Sequence, residues 1–373
     1  MEWYTIKNEE KIDSPALLVY KACVLDNIRK VLTMVKNPEQ LRPHVKTHKI
    51  TEVCTMMLAS GIKKFKAATI AEAEMLGMSG AKDVILAYQP VKPKFLRFLK
   101  LISKYPDTKY SCLIDNFESA ALFSDLFSAS DEVKNGTRMP VFIDLNVGMD
   151  RTGINPVKAY DLYREIQKLS GIEFKGFHAY DGHIRVSNLD ERIAQCDRDF
   201  YEVERLRRKI MQEENELPLL VAGGTPTFSI HSIKDNVECS PGTFVFWDKG
   251  YHDSLPEQDF QYAALILTRV VSIPDENKIC IDLGYKALAS ENELQNRVYF
   301  LNHPSLKPLS HSEEHMVVSV DKVHGFKIGE ILYALPVHIC PTVALYESVF
   351  VVEDAESSYS TWDVVARDRM VTC

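Results

Sequence analysis

The chain has 373 residues, of which 46% are hydrophobic and 26% charged, and its formal net charge is −8. This length exceeds what one modest core organises, so two domains are expected, and the composition is that of a soluble globular protein. The negative charge argues against a nucleic-acid or acidic-membrane surface. No secretory signal and no apolar stretch near the ~20 residues of a membrane span are visible. The eight cysteines are irregularly spaced, which is typical of reduced thiols, so a cytoplasmic location is expected.

Strand and helix patterns alternate through the first two thirds of the chain. A strand is predicted at 14–20, and a helix from about 22 to 36 follows it. Eight further strands are predicted, each followed by a helical or turn segment: 41–47, 64–69, 83–88, 110–115, 140–146, 174–180, 217–224 and 237–248. One long charged helix is predicted at about 188–215. Eight such units in ~200 to 250 residues fit a TIM (β/α)8 barrel, with the strand at 14–20 outside it.

A doubly wound sheet is the alternative to the barrel. The chain has no GxGxxG motif after its first strand, and its Gly-Gly pair comes too late for one. After about residue 255 strand patterns follow each other without helices, which predicts a mainly antiparallel β domain. We therefore expect a barrel domain over 14–255 and a β domain over 256–373 that also includes residues 1–13.

The segment 41–49, Leu-Arg-Pro-His-Val-Lys-Thr-His-Lys, concentrates cations and imidazoles at the predicted first barrel strand. If it is a strand, alternation places Arg42, His44 and Lys46 on one face. A lysine that points inward is costly to bury as a cation, and nucleophilic or Schiff-base chemistry is the usual reason to keep one. The alternative is a basic strand end that forms surface ion pairs.

Barrel active sites lie at the carboxyl ends of the strands, and two of these ends carry polar side chains that suit a bound ring. After the strand at 140–146, glycines flank Arg151, which suggests a loop that brings a guanidinium into a pocket; a loop ion pair with Asp150 is the alternative. After the strand at 174–180, Tyr180 and His183 surround a glycine and could form a wall for a flat ring. His178 is expected to be a core residue.

Two glycine- and threonine-containing loops follow the seventh and eighth predicted strands. Free backbone N–H groups and hydroxyls of this kind bind phosphate, and phosphate sites recur at these two loops of TIM barrels. Either loop alone would be a weak signal, because Gly-Gly-Thr is also a common turn. The residues are Gly223, Gly224 and Thr225 in the first loop and Ser240, Gly242 and Thr243 in the second.

A metal-binding pair is predicted in the β domain. On a strand, His338 and Cys340 project to the same side, and imidazole with sulfur favours zinc. Two local ligands leave coordination sites for water and substrate, which suits a catalytic metal. The spacing by itself is a weak signal, because such a pair is more often a chance or core arrangement.

The motif RPHVKTHK, the barrel followed by a β domain, and the HxC pair together resemble the D-threonine aldolase and D-serine dehydratase family of alanine-racemase-like, pyridoxal-phosphate enzymes. The resemblance covers nearly the whole chain. It implies that Lys46 is the Schiff-base lysine, that Arg151 lies near the phenolic oxygen of the cofactor, and that Tyr180 lies against the pyridine ring. His183 would face substrate or metal.

The resemblance also bears on the pyridine nitrogen and on the metal. Alanine racemases place an arginine before the matching Pro-Gly, where this chain has Ser240, and Glu238 shares its strand parity as a possible substitute. The family places a metal pair at the position of His338 and Cys340, so a divalent metal is implied, with zinc first and manganese as the alternative. Cysteine rather than aspartate there resembles the dehydratase branch.

The activity implied by the resemblance is that of a metal-assisted lyase on β-hydroxy D-amino acids. D-threonine aldolase activity, with His338 and His183 joining Lys46 as catalytic residues, is placed first. D-serine dehydratase activity is the alternative, followed by an amino-acid racemase or a non-catalytic pyridoxal-phosphate carrier. The partner is a small molecule, with no nucleic acid or membrane, and the family implies a homodimer with its active site at the interface.

Overall fold

The structure is a computed structural model that describes residues 2–130, 137–322, 325–353 and 359–373. Within these ranges, internal contacts divide the chain into two compact units, and each unit is assembled from separate chain segments. The barrel unit consists of Val31–Lys46, Cys54–Gly242 and Asp368–Cys373, and the β unit consists of Met1–Lys30, Thr47–Val53 and Thr243–Arg367.

The secondary structure of the described residues follows the predicted alternation and then the predicted run of strands. The strands are β1 (Ala16–Tyr20), β2 (Lys64–Ala67), β3 (Asp83–Leu86), β4 (Lys109–Ile114), β5 (Met139–Leu145), β6 (Ile172–Ala179), β7 (Leu219–Ala222), β8 (Val237–Cys239), β9 (Ala264–Asp275), β10 (Lys278–Ile281), β11 (Val298–Phe300), β12 (Lys307–His311), β13 (Met316–Ser319), β14 (Ile331–Pro336), β15 (Ser348–Val352) and β16 (Tyr359–Asp363). The helices are α1 (Lys21–Thr33), α2 (Thr51–Ala59), α3 (Ile70–Met78), α4 (Lys92–Lys104), α5 (Phe117–Ser128), α6 (Pro156–Ile166), α7 (Leu189–Asp199), α8 (Tyr201–Glu214), α9 (Phe228–His231), α10 (Lys249–Ser254) and α11 (Ile339–Val343).

The sheet of the barrel unit is parallel, and in the described part of the chain its seven strands run in sequence order from β2 to β8. Helices connect successive strands, as the alternating pattern predicts. Local side-chain caps fix several helix starts. At α3 the Thr69 hydroxyl accepts the N–H of Glu72, and the Glu72 carboxylate accepts the N–H of Ala68, the residue before the N-cap, in an arrangement related to the capping box.

The segment 41–44 takes the place of an eighth strand. The N–H groups of Arg42 and His44 donate to the carbonyls of Cys239 and Pro241, and the N–H of Lys66 donates to the Pro43 carbonyl. These bonds link the last strand of the sheet to the first through the segment. The parallel barrel predicted from the sequence is confirmed in this form.

The prediction of a continuous strand over 41–47 is wrong. Only Leu41 and His44 form bridges, and Val45–Thr47 form one turn of 3-10 helix. Pro43 explains part of the difference, because proline has no N–H to extend a hydrogen-bonded ladder. The strand predicted over 237–248 is likewise short, since β8 ends at Cys239 and a 3-10 turn occupies Thr243–Val245.

One other predicted element differs from the structure, and one strand of the structure was not predicted. The single helix expected over 188–215 is two helices, α7 and α8, which meet at Phe200. The strand β12 was not predicted, because its sequence, Lys-Pro-Leu-Ser-His, has little apolar alternation. The strand predicted at 14–20 is β1, and its assignment outside the barrel is confirmed, because it pairs with β9 and β15.

The interior of the barrel unit is arranged in layers because alternate residues of each strand point inward. A middle layer is apolar and consists of Ile85, Leu113, Phe142 and Val221. A charged layer lies at the amino-terminal side of the strands, where Arg42 is 1% exposed. Its guanidinium donates to Glu238 at 2.7 Å and to Asp83 at 2.6 Å, and the Lys64 ammonium reaches the other oxygen of Glu238 at 2.6 Å.

We expect the Arg42→Met variant to lose about 3 to 5 kcal/mol of unfolding free energy, because the buried Glu238 carboxylate would lose its main counter-charge. Urea unfolding of the wild-type and variant proteins measures this difference. The Lys64→Met variant is the matched control and should lose less, since its side chain is 23% exposed. A loss below about 1 kcal/mol for Arg42→Met would contradict the assigned role of the pair.

The β unit is built on a mainly antiparallel sheet, whose order in the described ranges is β12-β13-β10-β9-β1-β15-β16, with β14 paired to β9 and β11 paired to β14. The strand β1 pairs antiparallel with β9 and parallel with β15. The apolar core of this unit includes Leu18, Leu265 and Leu335. Among the described residues, no helix is long and apolar enough to cross a membrane.

Candidate functional site

In the barrel unit, the ring of Tyr180, directly after β6, is the point on which basic side chains converge. The Lys46 Nζ and the Lys66 Nζ each lie 5.5 Å from the ring centroid, and the Arg151 Cζ lies 5.2 Å from it. The structure therefore brings together four side chains, of which Lys46, Arg151 and Tyr180 were predicted as site residues. Lys66 was not assigned a role, although its strand parity with the inward-pointing Lys64 would have placed it inside the barrel.

The conformation that presents Lys46 is not a strand. Lys46 lies in the 3-10 turn Val45–Thr47 and is half-buried. The prediction that strand alternation places Lys46 on one face with Arg42 and His44 is therefore wrong. Lys46 is the last residue of its barrel-unit segment, and Thr47 is the first residue of the following β-unit segment. Its amine reaches Tyr180 because the turn redirects the side chain.

The loop that carries Arg151 is organised by Asn146. The Asn146 side-chain oxygen accepts the N–H groups of Gly148 and Asp150, and its amide donates to the Asp150 carboxylate at 2.9 Å. Gly148 has φ +118°, and a Cβ there would lie 2.7 Å from Nε2 of His183, so glycine is required. Asp150 is thus engaged by Asn146, and the Arg151 guanidinium lies over Tyr180 instead of forming the predicted alternative loop pair.

The loop after β7 has the close backbone approach expected of a phosphate site. Gly223 has φ +69°, and a Cβ on Gly224 would lie 3.2 Å from the Tyr180 ring. The hydroxyl oxygen of Thr225 accepts the N–H of Gly242 at 3.4 Å, which joins the two loops predicted from the sequence. Within the barrel unit, Gly224, Thr225 and Gly242 therefore lie together near Tyr180.

Ser240 and Glu238, the two candidate partners of a pyridine nitrogen, have different surroundings. Ser240 is 4% exposed, and its hydroxyl has no hydrogen-bond partner among the residues that the structure describes. Glu238 is already bound by Arg42 and Lys64. A buried, unsatisfied hydroxyl is costly unless a ligand fills its valence. This hydroxyl, the Lys46 amine and the glycine-lined loops fit pyridoxal phosphate.

The two histidines near β6 have different partners. His178 is 3% exposed, its Nδ1 lies 2.7 Å from Asp144, and burial lowers its pKa, so it is a neutral interior residue as predicted. His183 is half-buried, and its Nε2 lies 2.9 Å from Asp199. Its buried Nδ1 has no partner among the described residues. His183 therefore keeps one ring nitrogen available for a ligand.

A buried group is formed by Asp181, the residue after Tyr180, with Cys196 and His231, and it was not predicted from the sequence. The ligand atoms of these three residues lie within 4.8 Å of one another and could hold a metal ion. His231 Nε2 lies 3.1 Å from Asp181 and 3.3 Å from the Cys196 sulfur, and Thr227 donates to the same carboxylate at 2.6 Å. Burial raises the pKa of Cys196 to about 12, so the thiol is neutral until a metal displaces its proton.

In the β unit, His338 and Cys340 do not lie on a strand, so the predicted strand parity is wrong. The strand β14 ends at Pro336, His338 is the N-cap of α11, and Cys340 lies in the first turn of that helix. The two side chains nevertheless meet. Burial by itself would lower the pKa of His338, but hydrogen bonding to Cys340 and the negative groups around it raise this pKa to about 9.

The surroundings of this pair resemble those of a metal ligand set. The Glu291 carboxylate lies 2.6 Å from His338 Nδ1, which leaves Nε2 as the nitrogen for a ligand. Metal-binding histidines commonly donate their second N–H to a carboxylate in this way. The Cys340 sulfur lies 3.2 Å from the Thr47 hydroxyl and 3.6 Å from that of Thr243, which was predicted to bind the cofactor.

The parallel sheet with its cluster at the strand ends, and the antiparallel β unit, define the alanine-racemase-like fold. A D-threonine aldolase from Filomicrobium marinum has a similar structure, with a TM-score of 0.84, 23% identity and 95% of each chain covered. A D-threo-3-hydroxyaspartate dehydratase from Delftia sp. HT23 follows, with a TM-score of 0.80 at 20% identity, covering 95% of this chain and 97% of that one. Both comparisons confirm the predicted fold.

The family is shown by the sequence models. The model for the alanine racemase N-terminal domain matches residues 21–249, and the model for a putative serine dehydratase domain matches residues 263–352. The first match covers more than half of the chain. This protein therefore belongs to the alanine racemase N-terminal domain family.

Curated relatives confirm the resemblance inferred from RPHVKTHK and the HxC pair. A D-threonine aldolase from Arthrobacter sp. is 24% identical over 96% of this chain and 93% of its own length. The Delftia dehydratase is 23% identical over 94% of this chain and 97% of its own length. The comparisons thus include both an aldolase and a dehydratase, the two reaction classes that the sequence left open.

Proposed function

We propose that this protein is a pyridoxal-phosphate-dependent lyase that acts on β-hydroxy D-amino acids, with retro-aldol cleavage of the D-threonine aldolase type as its main reaction. The observation that carries this proposal is the Lys46 amine above the Tyr180 ring. The same unit supplies the glycine-lined loop at Gly224. The aldolase relatives support the same reaction class.

The residues of the barrel unit divide the work of holding the cofactor. When bound, pyridoxal phosphate withdraws electrons from the bonds at the α-carbon of an amino acid. Lys46 is the attachment point and the amine that substrate displaces. The Arg151 guanidinium neutralises an anionic ring oxygen, and Tyr180 supports the flat ring. Gly223, Gly224 and Thr225 with Gly242 bind the phosphate, and Ser240 pairs with the ring nitrogen.

His338 and Cys340 are the proposed metal ligands, with zinc as the metal and manganese as the alternative. A divalent ion there would bind the substrate β-hydroxyl and acidify it. The Glu291 contact to His338 supports this assignment. Two solved variants of the Delftia dehydratase also support it: a cysteine-to-alanine variant described as metal-free and a histidine-to-alanine variant, at positions two residues apart, as His338 and Cys340 are.

Proton transfers decide between cleavage and elimination. If His183 donates its Nε2–H to Asp199, its Nδ1 is an acceptor for the β-hydroxyl proton, and loss of that proton breaks the bond between the α- and β-carbons. If Lys46 Nζ instead removes the α-proton, the β-hydroxyl leaves. The second course is D-serine dehydratase activity, the second candidate function, which the cysteine at position 340 favours.

One assay separates these candidates. With pyridoxal phosphate and zinc or manganese present, we expect D-threonine to yield glycine and acetaldehyde, because the site provides for β-hydroxyl deprotonation. The products are measured by chromatography and by coupled aldehyde reduction, with L-threonine as the control. Pyruvate and ammonia from D-serine, without aldehyde from D-threonine, would establish the dehydratase instead. Interconversion of D- and L-alanine without either set of products would contradict the lyase proposal.

A homodimer with its active site at the subunit interface and a cytoplasmic location complete the proposal. The family resemblance supports the dimer, and the irregular cysteine spacing supports the reducing compartment. Light scattering at assay concentrations tests the first point. A monomeric mass together with full activity would contradict it.

A further inference from the structure

Lys66 is a buried lysine that the proposed function does not use. It lies on β2, is 4% exposed, and points into the barrel unit with the same parity as Lys64. Its Nζ is 5.5 Å from the Tyr180 ring centroid, the same distance as that of Lys46. The barrel unit thus presents two amines at one aromatic ring.

The charged groups that face Lys66 come from several strands and loops. Burial lowers its pKa most, Lys46 and Arg151 lower it further, and Asp144 and Asp181 oppose them, with the result that the pKa falls to about 7. Among the residues that the structure describes, no carboxylate lies within ion-pair distance of its amine. Asp144 is bound to His178 at 2.7 Å, and Asp181 is bound to His231 and Thr227.

Lys64 provides a direct contrast on the same strand. Its ammonium is paired with Glu238 at 2.6 Å and with Glu39 at 3.2 Å, and these partners raise its pKa despite partial burial. Lys66 is more buried, and none of the carboxylates described by the structure forms an ion pair with it. A buried amine without an anion weakens the folded state, so its presence indicates a ligand that supplies the anion.

We propose that Lys66 is an anion-binding amine of this site, which donates a hydrogen bond to a negatively charged oxygen of the bound ligand and takes up a proton as that oxygen binds. The proton comes from solvent, adds to the neutral Nζ, and no covalent bond is broken. This proposal rests on the proposed function, because the ligand is either pyridoxal phosphate or the amino-acid substrate of the enzyme. The oxygen is either the ring oxygen of pyridoxal phosphate or the side-chain carboxylate of a β-hydroxy amino diacid such as 3-hydroxy-D-aspartate.

The first experiment uses the protein without cofactor and compares Lys66→Met with Lys64→Met. The folded pKa of Lys66 lies below the unfolded value, so as pH falls from about 10 to 7 the unfolded chain binds a proton that the folded chain does not. We expect Lys66→Met to raise Tm at pH 7 by at least about 2 °C and the gain to shrink toward pH 10. Lys64→Met should lower Tm. A lower Tm for Lys66→Met at pH 7 would mean that Lys66 merely balances Asp144 and Asp181, and would overturn the proposal.

The second experiment identifies the oxygen. If it is the ring oxygen, Lys66→Met shifts the pH profile of the visible absorbance of bound pyridoxal phosphate, and 3-O-methylpyridoxal phosphate binds the wild-type and variant proteins equally. If it is a substrate carboxylate, that profile is unchanged and KM for 3-hydroxy-D-aspartate rises about 10-fold or more relative to KM for D-threonine. Lys66→Arg keeps the charge, so it should preserve binding of the anion while removing the titration near pH 7.

The outcomes separate this proposal from the proposed function. Wild-type protein that neither binds pyridoxal phosphate nor cleaves a D-amino acid would refute the function itself. A functional wild type with a Lys66→Met variant unchanged in both the spectral profile and the KM ratio would refute only the role of Lys66. Lys64→Met serves in both measurements as the control for loss of an inward lysine.

Discussion

The Lys46→Ala variant is expected to lose activity by about 10³-fold or more, together with the visible absorbance that bound pyridoxal phosphate shows in the wild type. Without the Lys46 amine the cofactor has no attachment at the Tyr180 ring and is held only by noncovalent contacts. Borohydride treatment of the wild-type protein, followed by peptide mass spectrometry, should place the reduced cofactor on the peptide that contains Lys46.

Lys49→Ala is the matched control for this variant. Lys49 lies three residues further along the same segment, has φ +57°, and its carbonyl accepts the N–H of Ala366 within the β unit. Its replacement should leave both the chromophore and the activity in place. If Lys46→Ala still carried a borohydride-reducible chromophore, the attachment would belong to another lysine, and the peptide map would distinguish Lys49 from Lys66.

Removal of the metal is the second large effect that we expect. Cys340→Ala and His338→Ala should each reduce bound zinc from about one equivalent to a small fraction, and should reduce activity by about 10²-fold or more, because either change removes half of the local ligand pair. EDTA treatment should reproduce the loss in the wild type, and added zinc or manganese should restore activity. Atomic emission and the D-threonine assay measure the two quantities.

Glu291→Gln and Cys196→Ala sharpen the metal experiment. Glu291→Gln keeps both ligands but weakens the orienting bond to His338, so metal affinity should fall by about 10- to 100-fold without being abolished. Cys196→Ala tests the buried group with Asp181 and His231. Metal loss from Cys196→Ala combined with metal retention by Cys340→Ala would move the metal to that group. Full activity of the EDTA-treated protein would exclude a metal role altogether.

The parts of the fold that follow from local patterns were predictable from the sequence. The alternation of apolar runs with helical segments between residues 64 and 254 repeats often enough that errors at single boundaries do not change the architecture. After residue 255 the strand-like runs follow each other without long helices, and β9, β10 and β14 belong to the mainly antiparallel sheet predicted there. Glycines at 148, 223 and 224 marked loops whose backbone conformation or close contacts require them.

The parts that failed depend on long-range contacts. The turn at Val45–Thr47 follows a segment whose hydrogen bonds go to β8 and β2, which no local pattern reveals. His338 and Cys340 meet across the start of α11 rather than along a strand, so the predicted proximity is correct for a reason that the sequence did not provide. The group of Asp181, Cys196 and His231 comes from three distant positions, and Cys196 had only the pattern of a core residue.

The position of β1 in its sheet has a consequence for synthesis of the protein. Residues 16–20 leave the ribosome before the barrel strands β2 to β8, yet their partner β9 begins at residue 264 and their partner β15 ends at residue 352. A strand made before the barrel unit must therefore remain unpaired while most of that unit is synthesised. Its sequence, Ala-Leu-Leu-Val-Tyr, is fully apolar and is flanked by the charged residues Asp13 and Lys21, so the nascent chain exposes an unpaired apolar strand until β9 has been made. Chaperone dependence of the early chain, relieved only when the last strands emerge, is the expected cost of this arrangement.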